Sequence, residues 1–191
     1  KDVIRAMNGT RYIGCVTYNS CSTVQPGRIH SISKEFERTT LVALQGTRIR
    51  RKTWDTEHNY FNTENHIVVN FGYGRGLHTN RSCGLTFLLN RRMFSSNDIL
   101  KVYPVPPELQ GRCAALLLRT GTSAILLINA YFPPPTSKSA TLYKQCVDKM
   151  IAWMKKTLRS CRPNTIPIMC MDLNDGMQIW PISDDMVVKV N

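Results

Sequence analysis

The sequence predicts a layered α/β fold, with β-sheets covered by helices. Three observations predict it. Apolar segments of strand and helix length follow one another as strand, helix, strand, several strands, helix, strand. Two segments, 28–38 and 139–160, carry apolar residues at helical spacing, unlike the others. The chain has 191 residues, 42% hydrophobic and 20% charged, enough for one domain with a substantial core. There is no internal repeat, no low-complexity linker and no visible domain boundary, so residues 1–191 read as a single domain.

The elements follow in order. Residues 12–19 are rich in β-branched and aromatic side chains and read as the first strand. Gln25-Pro26-Gly27 is a turn, and the helix over 28–38 places Ile29, Ile32 and Phe36 on one face. Residues 40–45 are a second apolar strand. Residues 59–71 alternate loosely and read as a strand or a hairpin arm. Gly72-Tyr73-Gly74-Arg75-Gly76 has the glycine spacing of a phosphate loop, but no helical pattern follows it, and it reads as a hairpin turn. Residues 83–90 and 100–103 are further strands, the latter closed by Pro104 and Pro106-Pro107. Two apolar strands, 112–119 and 124–131, flank Thr120-Gly121-Thr122-Ser123 as a tight hairpin. Phe132-Pro133-Pro134-Pro135 cannot continue a central strand. The helix over 139–160 buries Leu142, Cys146, Val147, Met150, Trp153, Met154 and Leu158, a packing stripe rather than a cofactor box. Residues 166–171 form a last short buried strand.

The longest apolar run, 124–132, is interrupted by Asn129 and is too short to span a bilayer. No secretion leader is visible, so an intracellular location, nuclear or cytoplasmic, is expected, and a start at Lys1 suggests a piece of a longer polypeptide. Asn8-Gly9-Thr10 and Asn80-Arg81-Ser82 match the glycosylation triplet by chance in that setting. The seven cysteines show no CxxC pair and no zinc spacing, and read as small buried hydrophobes in a reducing compartment. Lysines and arginines outnumber acids 25 to 13, a net charge of +12, which favours a polyanionic partner. Lys149, Lys155, Lys156, Arg159 and Arg162 decorate the long helix as a solvated face, and Arg91 and Arg92 follow a strand. Arg48, Arg50 and Arg51 after a strand, with Arg75 and Arg81 in the glycine-rich loop, are the better candidates for nucleic acid.

Strand ends carry the candidate chemistry. Asn19 ends the first strand, Gln45-Gly46-Thr47-Arg48 the second, Asn129-Ala130-Tyr131 the hairpin arm, and Asp172-Leu173-Asn174 the last. A sheet holds such groups rigidly while the loops stay open to substrate. The carboxylate of Asp172 can take a proton from water, and Asn174, two residues on in an extended chain, points the same way. Taken singly, each is as well explained by turn formation or packing. Together and in this order they are far more specific.

In these boxes the chain resembles the endonuclease/exonuclease/phosphatase superfamily, which includes deoxyribonuclease I and the apurinic endonucleases. It is closest to the apurinic-like endonuclease domains of non-LTR retrotransposons. Leu44-Gln45-Gly46-Thr47-Arg48 is similar to that family's Leu-Gln-Glu-Thr-Arg box, and the strand from Cys83 to Arg91 to one of its core strands. Asn129-Ala130-Tyr131-Phe132-Pro133 is similar to its Asn-x-Tyr-x-Pro box, and Met171-Asp172-Leu173-Asn174 to its Gly-Asp-Phe-Asn box. The resemblance implies a four-layer sandwich of two mixed β-sheets flanked by helices, and hydrolysis of nucleic-acid phosphodiesters, DNA above all, with Mg²⁺ or Mn²⁺. Related enzymes also cleave inositol phosphates and sphingolipids, but the basic charge favours nucleic acid. By carry-over Asn19 holds the metal or phosphate, and Asp172 orients or deprotonates the attacking water with Asn174 beside it. Tyr131 donates to the phosphoryl oxygens and Asn129 steadies the cluster.

The chain departs from the family in three places. Gly46 stands where the family has its metal-binding Glu, and Met171 stands for the Gly before the Asp. The family's closing Ser-Asp-His box and the strands that carry it are not found after Pro181-Ile182-Ser183-Asp184-Asp185, and none of the four histidines replaces it. The expectation is an incomplete, impaired copy that binds metal weakly if at all, with C-terminal strands missing and a reverse transcriptase domain in the parent polypeptide. The competing expectation is a non-catalytic nucleic-acid-binding remnant of the same fold.

Overall fold

The computed structural model describes residues 13–50, 59–74, 82–134 and 140–174. Its elements are β1 (Cys15–Asn19), α1 (Arg28–Glu35), β2 (Leu41–Gln45), β3 (Asn59–Asn62), β4 (His66–Phe71), β5 (Leu85–Asn90), β6 (Ile99–Val102), β7 (Cys113–Thr120), β8 (Ser123–Tyr131), α2 (Ala140–Arg159) and β9 (Thr165–Asp172). They build two mixed sheets, one in the order β1-β2-β5-β4-β3 and the other β6-β7-β8-β9. Each sheet has one edge made by a strand–helix–strand unit whose strands run parallel: β1 with β2 across α1, and β8 with β9 across α2. The remaining ladders are antiparallel.

Alternation of side chains across each strand sets the layers. In β2, Leu41 and Ala43 turn inward to meet Phe87, Leu116 and Leu127 in the core between the sheets. Val42 and Leu44 turn outward and pack with Ile32 of α1. In the second sheet, Ala114, Leu116 and Leu118 face inward. Cys113, Ala115, Leu126 and Ile128 face outward against Met150, Trp153 and Met154 of α2. The order is helix, sheet, sheet, helix, the four-layer sandwich that the resemblance implied. Because β2, β4 and β5 are covered on both faces, every residue in them is buried. Their sequences therefore run apolar almost without alternation.

Local differences from the expected elements have simple causes. Residues 59–71 are two strands, not one. Thr63 closes the turn, its backbone N–H donating to the His66 carbonyl and its hydroxyl bonding the His66 backbone. β3 is the exposed edge of its sheet, which explains the loose alternation there. Residues 120–123 form the expected hairpin, with Thr120 opposite Ser123. Leu142 does not join the buried stripe of α2 and is 43% exposed; the stripe starts one turn later, at Cys146. Of the cysteines, Cys21 departs from the expected burial and is exposed, while Cys83, Cys113, Cys146 and Cys170 are buried. Among the described residues, no helix is long and apolar enough to cross a membrane.

Candidate functional site

Parallel pairing brings the C-terminal ends of β1 and β2, and of β8 and β9, to a common end of their sheets. Along the inward face of each strand, side chains are apolar in the middle and become polar at that end. Cys15 is followed on the same face by Thr17 and Asn19, Ala43 by Gln45, Leu127 by Asn129, and Cys170 by Asp172. The apolar core thus grades into a polar rim where β1 and β9 abut.

At the rim Asn19 Nδ2 donates to Asp172 Oδ2 at 2.7 Å, a link between two sheets and between residues 153 apart in sequence. Asn19 Oδ1 accepts the Cys21 backbone N–H at 3.1 Å. Asp172 Oδ1 accepts the Asn174 backbone N–H at 3.0 Å. Asn174 adopts φ 50° and donates its amide to the Phe132 carbonyl at 2.8 Å, which ties the turn after β9 to the end of β8. An open cleft of about 390 Å³ lies over this arrangement, lined by Thr17, Tyr18, Asn19, Gln45, Met171, Asp172, Leu173 and Asn174.

Beneath the cleft is a buried amide pair. Gln45 Nε2 donates to Thr17 Oγ1 and to Asn129 Oδ1, both at 2.8 Å. Asn129 Nδ2 donates to the carbonyls of Leu44 at 3.0 Å and Thr86 at 3.4 Å. Asn129 has no exposed surface and touches the cleft through Gln45. Tyr131 lies opposite Asp172 in the β8–β9 ladder and is 7% exposed. The Arg112 guanidinium sits 5.3 Å from the centre of its ring and donates to its carbonyl at 3.1 Å. Of the residues singled out in the sequence, Asn19, Asp172 and Asn174 line the cleft, while Asn129 and Tyr131 stand behind it. Arg48 and Arg50 are exposed just beyond β2. Arg51, Arg75 and Arg81 lie outside the described residues, as do Tyr12, Gly76 and residues 181–185. The roles of Thr17 and Gln45 beneath the cleft were not anticipated from the sequence. The available signal was a polar residue at an inward-facing position of an otherwise apolar strand.

Gly46 borders Asn19. Its φ is +63°, in the left-handed region that costs any side chain, and a Cβ there would lie 2.9 Å from Asn19 Oδ1. A Glu at this position would be strained and would displace the Asn19 amide. Among the described residues the donor set does not fit a resident Mg²⁺ or Mn²⁺. Such ions take several hard oxygen ligands, whereas among the described residues the cleft lining offers Asp172 as its one carboxylate, with both oxygens already accepting amide N–H groups. Among the described residues no group of three His, Cys, Asp or Glu side chains could hold a metal ion.

No family model and no curated protein matches the sequence. Solved structures do match the fold. AP endonuclease LMAP from Leishmania major superposes with a TM-score of 0.57 at 15% identity, over 83% of this chain and 54% of that one. D. rerio TDP2 complexed with a single-strand DNA product gives 0.53 at 10% identity, over 86% and 61%. An endonuclease/exonuclease/phosphatase family protein from Leptotrichia buccalis gives 0.50 at 10% identity, over 85% and 67%. The chain spans 54% and 61% of the length of the first two. At these identities the likeness is one of fold: the two mixed sheets and two helices are those of the deoxyribonuclease I-like fold.

Proposed function

We propose that this chain, built on the endonuclease/exonuclease/phosphatase fold, is a nucleic-acid-directed domain of the phosphodiesterase type, derived from a non-LTR retrotransposon endonuclease and impaired in hydrolysis. The observation that carries the reading is the Asn19–Asp172 hydrogen bond across the two sheets, at the floor of an open cleft. In this reading Asp172 takes the proton of the attacking water. Its carboxylate is held in place by the Asn19 amide on one oxygen and the Asn174 N–H on the other. Asn129 and Tyr131 act as positioning residues, through Gln45 and the β8–β9 ladder. Arg48, Arg50, Arg51, Arg75 and Arg81 meet phosphates.

The net charge of +12 supports a polyanionic partner, and the TDP2 neighbour was solved with a DNA product. The retrotransposon origin rests on the wording of the four sequence boxes. Impairment rests on Gly46, where the resemblance calls for an anionic ligand and the backbone disfavours one. The same feature favours a second reading, a binding module without catalysis.

Plasmid nicking and duplex binding, measured on the same preparation with Mg²⁺ or Mn²⁺, test both. The expected result is binding together with weak nicking that Asp172→Ala abolishes while binding persists. Binding without any nicking above background leaves the second reading standing. Robust nicking that ignores Asp172→Ala, or no binding at low salt, sinks the first.

A further inference from the structure

Deeper in the same seam as the Asn19–Asp172 pair, the same two strands carry Cys15 and Cys170, with sulfur atoms 3.4 Å apart. We propose that Cys15 and Cys170 are an oxidative modification site, at which a hydroperoxide closes a disulfide that staples the two sheets together beneath the cleft. The geometry carries it. β1 and β9 are edge strands of different sheets. Cys15 shares its strand face with Thr17 and Asn19, and Cys170 shares its face with Asp172, so both thiols turn into the seam. A disulfide needs about 2.05 Å, so the sulfurs have about 1.4 Å to close from their present contact at 3.4 Å.

The two thiols are unequal in a way that assigns their parts. Cys15 is half-buried and reachable from solvent, whereas Cys170 is buried. The contact with Cys170 holds the Cys15 thiol below its ordinary pKa, and contact and burial together push that of Cys170 up. Cys15 is therefore the attacking sulfur and Cys170 the resolving one. The Cys15 thiolate attacks a peroxide oxygen and the O–O bond breaks. The departing oxygen leaves as water or an alcohol after taking a proton, and Cys15 becomes a sulfenic acid. Cys170 sulfur then attacks the Cys15 sulfur, the S–O bond breaks, and the hydroxide leaves as water with the Cys170 proton. Two thiols are oxidised by two electrons and the hydroperoxide is reduced by two. A dithiol reductant reverses the change by exchange. Cys21 is exposed beyond the end of β1 and serves as the internal comparison, a thiol that the reagent reaches more easily but that is not in this seam.

The test treats the fully reduced chain with stoichiometric hydrogen peroxide, blocks remaining thiols with a maleimide and maps the peptides. The expected product is a Cys15–Cys170 linked peptide, lost on treatment with dithiothreitol. Because the bridge closes a loop of 155 residues, the oxidised chain should melt roughly 5–15 °C higher than the reduced one. This comparison needs no variant. In Cys170→Ser, Cys15 should instead accumulate as a sulfenic acid that dimedone traps, with no rise in melting temperature. Full maleimide labelling of Cys15 after peroxide, a bridge at another pair of cysteines, or a linked peptide without a rise in melting temperature would overturn the proposal.

Discussion

His66 is buried completely in β4, where its Nδ1 meets Ser33 Oγ at 2.8 Å and its Nε2 faces the Thr39 carbonyl at 3.4 Å. The tautomer with hydrogen on Nε2 satisfies both contacts, since the Ser33 hydroxyl can then donate to Nδ1. Burial pushes the His66 pKa below its ordinary 6.5, and the Thr39 carbonyl opposes this only in part. The unfolded chain therefore takes up a proton near 6.5 that the folded chain refuses. Stability is fully present above that pH and falls as pH drops below it, by at most about 1.4 kcal/mol per pH unit. Urea denaturation across this range should show the slope, and His66→Gln should flatten it; an unchanged slope in the variant would assign it elsewhere. At this scale the sequence was informative where one residue sits at a strand end. Asn19, Asp172 and Asn174 could be named without coordinates. The Gln45–Asn129 pair could not, because residues 84 apart in sequence meet only once two sheets face each other. The left-handed backbone at Gly46 was equally out of reach, since it depends on the path of the chain between β2 and the β5 entry.

A tightly constrained junction lies where the chain leaving β2 runs beside the chain entering β5. Thr47 N–H donates to the Gly84 carbonyl at 3.1 Å, and Arg48 N–H to the Cys83 carbonyl at 2.9 Å. The two backbones close on Gly84, whose φ is +117°. A Cβ there would lie 2.5 Å from Thr47 Oγ1 and 3.1 Å from the backbone nitrogens of Arg48 and Ile49. Gly84→Ala should cost about 2–4 kcal/mol in chemical denaturation, from backbone strain plus the clash. Gly14→Ala, which meets nothing within 4 Å, should stay within about 0.5 kcal/mol. Equal effects would mean that the close approach does not constrain the fold. The helices and the 120–123 hairpin were plain from periodicity and turn chemistry. The 59–71 segment was not, because β3 is exposed at every position and β4 buried at every position, so burial alternates in neither and the sequence alternates only loosely.

For the whole molecule, the excess of lysine and arginine over acids is the leading clue to a partner. With a net charge of +12, duplex DNA binding should weaken linearly in log–log terms as salt rises, with a slope of about 0.9 per phosphate contacted. Replacing both Arg48 and Arg50, exposed beyond β2, with Ala should lower that slope by about two. A slope that does not change would remove Arg48 and Arg50 from the binding surface. The layered α/β class followed from element order and from the helical spacing of two segments. The division into two sheets did not. Strands covered on both faces lose the alternation that tells one face from the other, and the two-sheet arrangement was anticipated only through the resemblance of the strand-end boxes.

The link between Asn19 and Asp172 also bears on when the molecule becomes complete. Its two halves are 153 residues apart, and β9 reaches its place beside β8 only after α2 has crossed over. Contacts of such separation close late and slowly, because chain entropy is lost before they form. A nascent chain that has not yet emerged as far as Thr165 holds the β1 and β2 wall of the cleft and nothing opposite it. The floor of the cleft is thus among the last features to be made, and refolding followed at Asp172 should lag refolding followed in the β4–β5 hairpin core.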